Sequence, residues 1–187
     1  EFKALRRTIG RHTAMATWVW IVLIVIGVVA YLAWKRMQDV QATNRRLLAE
    51  VEETGGESAI AAATYLFNHY QEEEGEQALR LGAKLGNTEA AYEMAGILVM
   101  KEDYNGAIEY FRQASEHGYE NASFMLAVLL RDKGDIAGAT VAFEKSIELG
   151  TVAAATNLSG MLKEQGDMEG AVAALERGIE KKDAEAA

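Results

Sequence analysis

The chain has 187 residues, no cysteine, no proline and a formal net charge of −9. Without cysteine it forms neither disulfides nor thiolate metal sites. The charge is divided: residues 1–36 hold six basic residues and one acid, whereas the rest holds 13 basic and 27 acidic residues, a balance of −14. That balance argues against nucleic acid or an anionic membrane surface as partner of the acidic part, and for a neutral or basic protein.

Residues 1–12 form a basic tail with Lys3, Arg6, Arg7 and Arg11. From Thr13 to Trp34 there is no charged residue. A helix of that length spans a hydrocarbon layer of about 30 Å. Trp18 and Trp20 lie toward one end and Tyr31 and Trp34 toward the other, the places where interfacial aromatic residues anchor a span. A small helical repeat domain has no interior to hide such a segment, and the run is too long for a cleaved signal peptide. The reading is a transmembrane helix over 13–34, a permanent single-pass anchor. Gly27 is its only glycine and there is no G-x-x-x-G, so specific dimerisation through it lacks support. An anchor alone is preferred to a packed contact with another membrane subunit. Lys35, Arg36, Arg45 and Arg46 stand after the span, but Asp39, Glu50, Glu52 and Glu53 dilute them. The basic tail is therefore placed in the cytoplasm and the remainder on the extracytoplasmic side, periplasmic in a Gram-negative bacterium.

Residues 35–54 read as a juxtamembrane helix and linker. Val40, Leu47, Leu48 and Val51 make a thin apolar stripe that would pack on the adjoining residues 55–86 or on a neighbouring copy, and Thr54-Gly55-Gly56 breaks the helix.

Residues 55–187 repeat themselves with a period of 32: a degenerate unit at 55–86, then 87–118, 119–150 and 151–182. Asp103, Asp135 and Asp167 are in register, as are Gly106, Gly138 and Gly170, then Phe111, Phe143 and Leu175; Gly86, Gly118 and Gly150 close units. Such a period marks a solenoid whose units bury their apolar faces on one another. Each unit reads as two helices, from the 3–4 spacing of Ala91, Met94, Ala95 and Leu98 and of Ala107, Phe111 and Ala114. Gly134 and Gly166 suit a left-handed helix end, and Asp135 and Asp167 cap the next helix. Glu102 replaces that glycine in one unit, which predicts a looser turn. Gly106, Gly138 and Gly170 each cost up to ~1 kcal/mol inside a helix. They predict close approach between paired helices, with Ala95, Ala127 and Ser159 as partners. Residues 183–187 look like the start of a further unit, since Ala186 falls 32 after Ala154, so the sequence is expected to be part of a longer chain. The run Glu72-Glu73-Glu74-Gly75-Glu76 reads as a solvated, acid-rich first turn favoured by the helix dipole, in preference to a cation site or a dock for a basic peptide.

The stretch Leu85-Gly86-Asn87-Thr88-Glu89-Ala90-Ala91-Tyr92, with Asp103-Tyr104-Asn105-Gly106-Ala107 through Phe111 to Ala114, resembles tetratricopeptide-like repeats and, within them, Sel1-like repeats. Ala95, Ala107, Phe111 and Ala114 match the small and aromatic positions of that pattern. The resemblance implies an all-α superhelical solenoid that binds proteins, with the first helix of each unit lining a concave face. Mapped onto this chain, the candidate partner-binding residues are Tyr92, Val99, Asn121, Phe124, Val128, Arg131 and Lys163, beside Glu89, Gly96, Ala153, Thr156 and Gly160. Tyr92 and Phe124 would be aromatic anchors, or would pack between adjacent units; Arg131 would meet a carboxylate.

Nothing points to catalysis. His12, His69 and His117 are far apart and share no metal-ligand spacing, and the glycines recur with the repeat rather than in a phosphate loop. No cofactor and no metal is expected. The reading is a non-enzymatic, membrane-anchored scaffold or adaptor for a protein or peptide, embedded by one helix; the alternative is an accessory subunit of a membrane complex, held through its transmembrane helix.

Overall fold

The structure, a computed structural model, describes residues 2–185, with side chains described from Trp18 onward apart from Val19, Asp183 and Glu185. The side chains of the basic tail and of His12 lie outside this description, as do Ala186 and Ala187. Among the described residues there are nine helices and no strand: α1 (Phe2–Glu53), α2 (Ala59–Asn68), α3 (Glu72–Lys84), α4 (Thr88–Met100), α5 (Tyr104–Glu116), α6 (Glu120–Asp132), α7 (Ile136–Glu148), α8 (Val152–Glu164) and α9 (Met168–Glu185). Contacts divide the chain into two units, residues 1–46 and 47–187.

The first unit is α1 up to Arg46. Its stretch from Trp20 is long and apolar enough to cross a membrane by length and composition, and none of that window is buried. Trp18, Trp20, Tyr31 and Trp34 are exposed, with the rings of Tyr31 and Trp34 6.1 Å apart.

The second unit is the expected helical solenoid. Its helices pack as the hairpins α2/α3, α4/α5, α6/α7 and α8/α9, and each hairpin packs on the next. The starts of α4, α6 and α8 are spaced by the 32-residue period, as are those of α3, α5, α7 and α9; only α2 begins late, at Ala59. Val51, at the end of α1, is buried in the solenoid core with Leu47 and Leu48 against it. α1 ends at Glu53, and Gly55 and Gly56 both take positive φ. Phe111 and Phe143 are buried in the core. Leu175, at the same register position, is 41% exposed because no described helix comes after α9. The period would end α9 near Lys182, but the helix runs to Glu185. The glycine that closes earlier units is Lys182 here, so nothing favours a left-handed stop.

The turn within each hairpin differs from expectation at one place. Tyr70, Glu102, Gly134 and Gly166 are in register and all left-handed, with φ of 59°, 62°, 84° and 84°. The closing bond is the same in each turn: Gln71 N donates to Leu66 O, Asp103 N to Leu98 O, Asp135 N to Leu130 O and Asp167 N to Leu162 O, each at 2.9 Å. The turn at Glu102 is therefore no looser, because these bonds hold the residue in a conformation its Cβ disfavours. Asp135 and Asp167 cap as expected and Asp103 caps in the same way: Asp103, Asp135 and Asp167 accept from Gly106, Gly138 and Gly170 N at 3.0, 2.9 and 2.8 Å. Those glycines do not mark helix approach toward Ala95, Ala127 and Ser159. A Cβ on them would lie 2.6, 2.5 and 2.3 Å from the Oδ2 of the capping aspartate, so they make room for the cap. Close helix approach occurs instead at Gly82 and Gly178.

Candidate interaction surface

The first helix of each hairpin turns one stripe to the core. In α4 this is Ala90, Ala91, Met94, Ala95 and Leu98. At about 100° per residue, the opposite face holds Glu89, Glu93, Gly96 and Met100. The register carries this open row to Asn121, Met125, Val128 and Asp132 on α6 and to Ala153, Asn157, Gly160 and Glu164 on α8.

The structure splits the expected binding residues between this row and its flank. Asn121 and Lys163 are exposed, and Val99, Val128 and Arg131 are half-buried. Tyr92 and Phe124 are half-buried on the flank. The Tyr92 ring stands edge-on to Phe111 at 5.5 Å and lies 4.7 Å from Tyr119 of the next unit; Phe124 stands edge-on to Phe143 at 6.0 Å. Each aromatic ring thus packs within its own hairpin, and Tyr92 also bridges to the next. Arg131 donates to Asn157 Oδ1 at 3.3 Å and to Asp132 Oδ1 at 3.0 and 2.9 Å. The Arg131–Asp132 pair is largely solvent-exposed, so it is weak and easily exchanged. Sequence reasoning missed Glu93, Met100, Met125 and Asn157. The buried stripe of Ala90, Ala91, Met94, Ala95 and Leu98 was the signal that would have found them, since they lie opposite it.

Gly96 and Gly160 sit in the middle of helices on this face, and a Cβ on either would meet nothing within 4 Å. Two clefts lie at seams between hairpins. One of about 330 Å³ is lined by Phe67, Glu72, Glu76, Ile97, Met100 and Lys101. One of about 280 Å³ is lined by Arg131, Thr156, Asn157, Gly160, Met161 and Glu164. A broader cleft of about 690 Å³ lies between α3 and α5, lined by Arg80 and Lys84 of α3 and by Glu109, Arg112 and Glu116 of α5.

The acidic run of α3 is only partly solvated. Glu72 and Glu73 are exposed, but Glu76 is 6% exposed and accepts from Arg80 at 2.8 Å and from Lys101. A carboxylate at this depth is tolerated because both cations reach it. Burial pushes the Tyr119 phenol above its ordinary pKa, with Glu89, Tyr92 and Glu93 adding to the shift. His69 stacks on Tyr65 with ring centroids 4.1 Å apart, its Nδ1 2.7 Å from the Tyr65 carbonyl. Among the described residues no three His, Asp or Glu side chains gather in a way that would hold a metal.

The family profile described as tetratricopeptide repeat matches residues 151–182, the last complete unit. No curated protein matches the chain. Among solved structures, a crystal structure of MamA is similar with a TM-score of 0.55 and 18% identity, over 81% of this chain and 94% of that one. A second structure of the MamA protein gives 0.54 and 18%, over 81% and 87%. At that identity the likeness shows the fold alone: a tetratricopeptide-like helical solenoid.

Proposed function

We propose that this chain is a membrane-anchored scaffold whose solenoid binds a partner protein on the open face of α4, α6 and α8. The repeat and the fold support protein–protein interaction, and the observation that carries the site is the pair Gly96 and Gly160. Glycine in a helix interior costs roughly 1 kcal/mol against alanine. Nothing among the described residues needs the missing Cβ at either position. Close approach by another backbone gives both a use. Asn121, Val128, Arg131 and Lys163 keep accessible surface on α6 and α8, and Tyr92 and Phe124 are half-buried on the flank. The exposed apolar stretch of α1 serves as the single-pass anchor, which places the solenoid beside the membrane within reach of other membrane proteins. Its sidedness is set by charge: tail in the cytoplasm, repeats outside.

The test is a mild-detergent capture of partners by the full chain, by Gly96→Leu with Gly160→Leu, and by a chain whose residues 13–34 are replaced with an unrelated span. The double leucine variant should keep its helicity and melt no lower, since leucine favours helix, yet lose the partners. Partners retained by that variant would remove the face from consideration. Loss only with the replaced span would favour the alternative, an accessory subunit held through its membrane helix.

A further inference from the structure

Within a repeat protein, neighbouring units show what the fold itself requires at each position. At the seam between α2, α3 and α4 the chain departs from its own pattern several times, and the departures meet at one cleft. Phe67 stands where the later units have Val99, Arg131 and Lys163. Gly75 stands where they have Ala107, Ala139 and Ala171, and a Cβ there would fall 2.6 Å from the Phe67 ring. Glycine at this position is what lets the ring lie against α3. Glu76 stands where they have Ile108, Thr140 and Val172. It is buried, although Ile108 fills the same position without a charge. Met100 is 78% exposed where other units have Asn68, Asp132 and Glu164. Glu72 stands where they have Tyr104, Ile136 and Met168. Phe67, Glu72, Glu76 and Met100 line the cleft of about 330 Å³ with Ile97 and Lys101, and Gly75 supports its wall.

We propose that this cleft receives one apolar side chain of a basic segment of a partner protein. The proposal rests on the reading of the repeats as a protein-binding surface and names the partner's chemistry. Phe67, Ile97 and Met100 supply the apolar lining, and a methionine so exposed adapts to varied side chains. Charge selects the flanks. Lys101 and Arg80 are engaged by Glu76, while the exposed Glu72 and Glu73 have no ion-pair partner among the described residues. The solenoid around them is acidic as well, so lysine or arginine beside the inserted side chain is attracted and acidic flanks are repelled.

The experiment measures binding of labelled synthetic peptides to the full chain in detergent by fluorescence anisotropy. The peptides carry leucine flanked by lysines, alanine in the same lysines, or leucine flanked by glutamates. The first should bind, and the other two should bind at least about tenfold more weakly. Each protein variant installs a residue that the chain already carries at the same register position: Phe67→Val, Gly75→Ala and Met100→Asp. All should fold, and each should weaken the leucine–lysine peptide by about tenfold. Met100→Asp adds a negative charge, so attraction that is merely electrostatic would strengthen with it; that result, or equal binding of the alanine peptide, overturns the proposal. If no peptide binds while partner capture still depends on Gly96 and Gly160, the cleft fails and the scaffold reading stands. If neither responds, both fail.

Discussion

A Cβ placed on Gly82 would lie 2.3 Å from the Cβ of Ala59 and 3.0 Å from that of Ala90. Both neighbours are fixed to helix backbone, so neither can swing aside. The same register position is Gly178 in the last hairpin, where a Cβ would fall 2.5 Å from that of Ala155, and it is Ala114 and Ser146 between them. Small residues at this position set how closely paired helices approach. Gly82→Ala should therefore lower stability by about 1–2 kcal/mol, because overpacking outweighs the gain in helix propensity. Gly96→Ala, with open space around it, should raise stability by up to ~1 kcal/mol. Thermal unfolding of the two variants in parallel checks the contrast; equal shifts would contradict the packing argument.

Glu102 and Tyr70 hold the left-handed conformation that Gly134 and Gly166 supply in later units. A side chain in that region costs about 1–2 kcal/mol, part of which glycine gives back through its freer unfolded chain. Glu102→Gly should raise stability by about 1 kcal/mol, and Gly134→Ala should lower it by a similar amount. Chemical denaturation midpoints at constant slope report both. A destabilised Glu102→Gly would mean that this side chain makes a contact of greater weight than its backbone strain.

Two buried serines invite opposite outcomes. Ser123 Oγ lies 2.7 Å from Ser115 Oγ, fully enclosed between α5 and α6. Ser146 Oγ is buried with no hydrogen-bond partner among the described residues. Ser123→Ala strands the Ser115 hydroxyl and should cost about 1–2 kcal/mol. Ser146→Ala installs the residue found at Ala114 and should be neutral or stabilising by up to ~1 kcal/mol. Unfolding free energies of the two variants decide.

Tyr119 makes part of the solenoid's stability depend on alkaline pH. Its folded pKa is raised above the ordinary value of 10.0 by burial, then by Glu89, Tyr92 and Glu93. In the window between the unfolded and folded values the folded state holds the proton more tightly. The contribution is complete below pH 10 and is lost as pH rises through the folded pKa. Carbon-13 NMR of the tyrosine ring should show one phenol titrating late, absent in Tyr119→Phe, and that variant should lose stability less steeply at alkaline pH. A Tyr119 resonance titrating at the ordinary value would end this account.

The repeat made much of the fold legible. A period of 32 set the spacing of α3 to α9, and Asp135 and Asp167 announced their caps because an N-cap acts within one turn of its own helix. The open row was legible to within one helical step: Glu89, Gly96, Asn121 and Val128 lie on it, while Tyr92 and Phe124 turned toward ring partners. What moved them was the aromatic neighbour at Phe111, Tyr119 or Phe143, a contact between helices that no single helix displays.

The sequence by itself determined the quantities that depend on near neighbours in the chain: the spacing of α3 to α9, the caps at Asp135 and Asp167, the left-handed turns at Gly134 and Gly166, the uncharged stretch 13–34 and the division of charge. Only the tertiary structure decided which glycines serve a cap and which allow helix approach. It also decided that Glu76 is buried while Glu72 stays in water, and that Phe67, Ile97 and Met100 close on one cleft. Those outcomes depend on distances between helices, and the packing of one hairpin on the next sets them.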